Sequence, residues 1–207
     1  MPAQSKQARI FFLSLDRFDE KPSSCPIFGP LLDALAAKAT VERACKPKAA
    51  LDYLSTNTPT AIIISDSAVT EPKHTALLDK IISYVRDGGT AILAGFFTAW
   101  VNWFDPHGFF RRWELPWVYG SYTRATVYVN LRVRQIDKVG LPAAYHLKAL
   151  FLKNVSQNEA LYHPLEDCNR AETPVAFGAV GKGRLGYIGD VNGEEGTNAA
   201  IVAMCGL

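Results

Sequence analysis

The chain predicts an α/β protein built around a parallel sheet, and three observations carry that prediction. Ile10–Leu15, Ala61–Ser65 and Thr90–Ala94 are short, almost unbroken apolar runs, the composition of central strands covered on both faces. Segments with apolar residues at helical spacing alternate with them, most clearly Leu77, Leu78, Ile81, Ile82 and Val85. A late pair of strand-like runs flanks Gly181-Lys182-Gly183 and reads as a hairpin. Strands alternating with helices imply parallel pairing through right-handed crossovers, with helices on both faces.

Taken in order, Ile10–Leu15 is the first strand, and a polar loop from Asp16 to Cys25 follows. Ile27, Leu31, Leu32 and Leu35 place a helix next. Thr40–Ala44 is the second strand, Lys48–Leu54 a short helix, and Ala61–Ser65 a β-branched third strand bounded by Pro59 and Asp66. Pro72 suits the first turn of the next helix and Gly88 its stop. Thr90–Ala94 then makes a fourth strand ending at Gly95.

From Phe96 the rhythm breaks. Residues 96–122 hold 11 of the 23 aromatic residues and all four tryptophans. Thr126–Arg134 alternates with period two and predicts a strand. Residues 138–172 are ambiguous, and Ala149–Leu152 fits either element. Pro174–Val180 and Arg184–Gly189 form the hairpin, and a last helix capped by Thr197 or Asn198 runs to Cys205. The whole, residues 1–207, reads as one domain with an aromatic-rich insertion at about 96–172.

Composition excludes several classes. A net charge of +2 is too small to argue for nucleic acid. No apolar run approaches the ~18 residues that span a membrane, and the polar start Met1–Gln7 lacks a signal-peptide core. Cys25, Cys45, Cys168 and Cys205 form no Cys-x-x-Cys pair, so free thiols in the cytoplasm are the expectation. The Cys and His spacings lack metal-site clustering, and no metal or other cofactor is expected.

Acidic residues follow three strand ends: Asp16, Asp66 and Asp190. On one rim they could bind a metal, hold sugar hydroxyls or act as acid and base; alternatively, Asp simply suits turns and helix starts. The aromatic run, with Arg111 and Arg112 inside it, fits core, a subunit interface or a stacking platform. His107, in the turn Asp105-Pro106-His107-Gly108, is either a functional or an exposed histidine. Cys25 precedes a helix without a nearby base. Gly181-Lys182-Gly183 lacks the spacing of a phosphate loop.

Three features together carry a resemblance: the helix ending in Asp87-Gly88-Gly89, the buried strand behind it, and the hairpin Pro174-Val175-Ala176 to Gly183-Arg184 with Tyr187. In these the chain resembles the class I glutamine amidotransferase-like superfamily, nearest to its ThuA-like (trehalose utilisation) branch. The resemblance implies a flavodoxin-like fold with a pocket at the carboxyl ends of the parallel strands. Catalytic relatives place a Cys after the strand matching Thr90–Ala94 and a His after the late hairpin. Here Gly95-Phe96 and Asp190-Val191-Asn192 hold those places, so the nucleophile and its base are missing and glutamine hydrolysis is not expected.

Three functions remain open. The first is a non-glutaminase binding protein for a carbohydrate-like small molecule, its pocket lined by Asp16, Ser65, Asp66, Gly95, Phe96, His107, Asp190 and Asn192. The second is a hydrolase or isomerase using rim carboxylates. The third is a structural subunit. A homodimer is expected, with Trp113, Trp117, Arg111 and Arg112 as its contacts; nucleic acid and membranes are not expected partners.

Overall fold

The computed structural model describes residues 7–15, 25, 27–102, 108–164 and 171–207. Among these residues, ten strands form one mixed sheet. In chain order they are β1 (Arg9–Leu13), β2 (Thr40–Ala44), β3 (Ala61–Ile64), β4 (Thr90–Leu93), β5 (Val118–Val129), β6 (Ala144–Lys153), β7 (Ala160–Pro164), β8 (Glu172–Thr173), β9 (Val175–Val180) and β10 (Gly183–Ile188). The helices are α1 (Gly29–Ala36), α2 (Pro47–Thr56), α3 (Thr75–Arg86), α4 (Phe97–Trp100), α5 (Gly108–Arg112) and α6 (Glu195–Met204).

The strand order is β2-β1-β3-β4-β10-β9-β7-β5-β6-β8. The first five pair in parallel and the rest antiparallel. The sheet is therefore mixed, and the insertion is largely sheet: β5 to β8 extend it.

Alternation along β1 shows why its sequence is apolar throughout. Ile10 and Phe12 join the core beneath α1 and α6, whereas Phe11 and Leu13 join the core beneath α2 and α3. Both faces are covered, so neither register position can be polar. The last helix holds Ala200, Ile201, Val202 and Met204 against the same face as α1.

The two glycine motifs of the sequence meet in one contact. Gly88 ends α3 at φ +120°. A Cβ on Gly183 would lie 2.1 Å from the carbonyl oxygens of Val85 and Gly89. Lys182 N–H donates to the Arg86 carbonyl at 2.9 Å and Arg184 N–H to that of Gly89 at 3.0 Å. Gly183 thus lets the β9–β10 turn lie on the end of α3.

The described residues of the aromatic run include α4, α5 and the start of β5. Phe110 meets Trp117 at 5.6 Å and Tyr187 of β10 at 6.1 Å, both edge on. Trp117 packs against Gly178, where a Cβ would sit 2.4 Å from its ring. These rings cover the β9–β10 region on the α3 face of the sheet. The strand expected at Thr126–Arg134 instead spans Val118–Val129. Its register shifts between Tyr119 and Tyr122, which breaks the period-two pattern that would have marked its beginning.

Candidate edge site

Ser14, Ser65–Asp66, Gly95 and Gly189–Asp190 follow the carboxyl ends of β1, β3, β4 and β10, four strands of one parallel set. They therefore share one edge of the sheet, with strands about 4.8 Å apart. Asp16 and His107 lie outside the described residues, as does Cys168.

Among the described residues, the two aspartates at this edge are engaged by backbone. Asp66 accepts from Leu15 N–H at 2.7 Å and from Ala68 N–H at 3.1 Å, capping the 3₁₀ turn Ser67–Thr70. Asp190 accepts from the N–H groups of Asn192 and Glu194, both at 2.9 Å. Asp66 and Asp190 are 5% and 2% exposed. Such buried charges are held by hydrogen bonds that would otherwise be orphaned backbone donors. Asn192 is exposed and its amide donates to Glu194 at 3.1 Å.

Gly95 has φ +63°, a left-handed turn at the tip of β4. A Cβ there would lie 2.3 Å from the Phe28 ring. Phe28 meets Phe96 at 5.2 Å and Phe12 at 5.4 Å, both edge to face. The space in front of Gly95 is thus occupied by an aromatic side chain. Thr98, fully buried, donates to the Gly189 carbonyl at 3.2 Å and ties α4 to the end of β10.

Hydroxyls remain. Ser65 Oγ donates to the Leu13 carbonyl at 3.0 Å. Ser14 is 4% exposed and its Oγ has no hydrogen-bond partner among the described residues. It lies two residues beyond Phe12, on the same face of β1, so it shares the face on which Phe28 packs. Sequence reasoning missed Ser14, because a lone serine closing an apolar strand carries no pattern.

The residues expected at a dimer interface take different positions. Trp113 and Trp117 are 0% and 1% exposed within the single chain, so they are core and offer no surface to a second copy. Their burial follows from the packing of α5 against β9 and β10. Arg112 donates to Asp79 at 2.6 Å, anchoring α5 to α3, and Arg111 is exposed. Trp100, at 65% exposure, is the tryptophan that faces solvent among the described residues. No helix of the described residues is long and apolar enough to cross a membrane.

No protein-family model matches the chain, and no curated protein does. Solved structures do match. A ThuA-like protein of Bacteroides uniformis superposes with a TM-score of 0.61 at 14% identity, covering 99% of this chain and 93% of that one. A cytoplasmic protein of Salmonella typhimurium gives 0.61 at 12% identity, covering 96% and 98%. A β-galactosidase of Bacillus circulans also gives 0.61 at 12% identity, but the match spans 96% of this chain and 31% of that one. The chain shares the α/β fold of ThuA-like proteins.

Proposed function

We propose that this chain is a non-glutaminase protein that binds a carbohydrate-like small molecule at the carboxyl edge of β1 and β3. The parallel order β2-β1-β3-β4-β10 fits the flavodoxin-like arrangement, in which ligands bind outside the carboxyl ends at the β1/β3 switch of strand direction. Ser14 closes β1 at that switch. Its buried hydroxyl, without a partner among the described residues, is the observation that carries the proposal, since a buried polar group without a partner costs free energy unless something else satisfies it. Ser65 carries a second hydroxyl, and the half-buried Phe96 ring offers apolar surface of the kind sugars stack on. The fold shared with a β-galactosidase and a ThuA-like protein supports a sugar as ligand class.

Covalent acyl chemistry has no support at this edge. The position matched to the amidotransferase nucleophile is Gly95, closed off by Phe28, and the two edge carboxylates are engaged by backbone amides. Binding therefore requires Phe28 to move, and no ammonia release from glutamine is expected.

The test is calorimetry with a panel of neutral mono- and disaccharides on the wild type and Ser14→Ala. A bound sugar whose affinity falls about three- to tenfold in the variant, as expected for one hydrogen bond, supports the proposal. Unliganded Ser14→Ala should be no less stable, because it loses an unsatisfied group. A panel without a binder, or a variant that binds as the wild type does, overturns it.

A further inference from the structure

In the antiparallel half, the part of one sheet face around Arg124 and Lys148 is open to solvent among the described residues, and its chemistry is one-sided. Along β5, Ala125 and Val127 are buried, whereas Arg124 and Thr126 are exposed, Tyr122 is 40% exposed and Tyr128 is half-buried. Along β6, Leu147 and Ala149 are buried, His146 is exposed and Lys148 is half-buried. The register places Arg124 opposite Lys148, Thr126 opposite His146, and Tyr128 opposite His163 of β7. Directly opposed residues share a face, so these side chains form one surface.

No Asp or Glu occurs in β5, β6 or β7. Arg124 and Lys148 are like charges at directly opposed positions, an arrangement that destabilises a sheet. Lys148 is steered by the Tyr122 ring, its Nζ 4.9 Å from the centroid. Thr126 Oγ1 and His146 Nδ1 are 3.3 Å apart. Beside this face, His163 also lines a cavity of about 320 Å³ together with Asn130, Arg132 and Gln157. The carboxylate in that cavity's wall, Glu172, is engaged by Ser121 and Lys153.

We infer that this face binds an acidic oligosaccharide, a chain of sugar rings of which one carries a carboxylate. Arg124 and Lys148 make a fork for one carboxylate. Tyr122, Thr126 and Tyr128 continue the row along β5 at intervals of about 7 Å, offering ring faces and a hydroxyl to the sugars on either side. A nucleic acid places an anion on every residue of the chain, whereas the cations here gather at one point of a row that is otherwise aromatic and hydroxylic. The surface is separate from the edge at Ser14 and independent of it.

The experiment is fluorescence anisotropy at low salt with a labelled maltooligosaccharide in which one glucose is oxidised to glucuronate. A neutral maltooligosaccharide of equal length is the control, and oligo-dT is a competitor. Arg124→Glu is the informative variant, because it places a carboxylate opposite Lys148 and so replaces a repulsive pair with an attractive one; its thermal midpoint should not fall. Expected are binding of the acidic chain that weakens with salt, an affinity at least about tenfold lower in Arg124→Glu, recovery in Arg124→Lys, and no change in Ser14→Ala. A wild type that ignores the acidic chain, binds the neutral one equally, or prefers oligo-dT overturns the inference. So does a folded Arg124→Glu protein that binds as the wild type does.

Discussion

Gly95 shows how one residue decides the chemistry of an edge. Its left-handed backbone costs a side-chain-bearing residue about 1–2 kcal/mol, and displacing Phe28 adds about 1–3 kcal/mol of overpacking. Gly95→Cys should therefore lower stability by about 2–5 kcal/mol in urea denaturation and still release no ammonia from glutamine; a stable, active variant would contradict both points. Glu172 decides a different property. Burial raises its pKa, but hydrogen bonds from Ser121 and the Lys153 charge outweigh that and hold it below the usual carboxylate range. The folded value lies below the unfolded one, so the carboxylate stabilises the fold above about pH 4.3, and that stability is lost as the pH falls through the folded value. Glu172→Gln should flatten the acid limb of the stability curve; an unchanged limb between pH 5 and 3 (roughly the carboxylate range) would show that other groups set it. The sequence located Asp66, Asp190 and Gly95 on one edge. It could not show that the carboxylates are engaged by backbone amides, because a turn-capping aspartate and a ligand-binding one look alike in a single sequence.

At the scale of elements, the parallel half was legible because β1, β3 and β4 repeat one physical situation, apolar residues covered on both faces. The antiparallel half was harder. The shift in β5 between Tyr119 and Tyr122 puts Trp117 and Tyr119 on the face that later carries Arg124, so the alternation restarts partway along the strand. The tryptophans misled for a related reason. Their number suggested an interface, but α5 turns Trp113 inward and Gly178 makes room for Trp117. Trp113→Ala and Trp117→Ala should each cost about 3–5 kcal/mol, the range for removing a buried aromatic side chain, with loss of near-ultraviolet circular dichroism. A variant within 1 kcal/mol of the wild type (about the size of a surface substitution) would mean that the ring is not core.

The whole molecule raises the question of whether the parallel and antiparallel halves are one folding unit. Several contacts join them across the β10–β9 pair. Tyr187 of β10 donates to the Leu150 carbonyl of β6 at 2.8 Å. Leu150 N–H in turn donates to the Gly189 carbonyl at 3.0 Å, and Gly189 N–H to that of Pro174 at 2.8 Å. A Cβ on Gly189 would sit 2.0 Å from the Leu150 carbonyl oxygen, so the two halves approach to backbone contact. The hydrophobic cores run continuously from α3 through β4 and β10 to Trp117 and Leu152. A boundary between independent units would interrupt such packing. The chain should therefore unfold as a single cooperative domain. All its tryptophans lie between residues 100 and 117, so fluorescence reports the aromatic segment, whereas far-ultraviolet circular dichroism reports both halves. In urea, the two signals should fall along one curve with a common midpoint and slope, the criterion for two-state behaviour. A fluorescence transition that precedes the loss of ellipticity would show that the aromatic segment and its strands detach first, leaving the parallel half to stand alone.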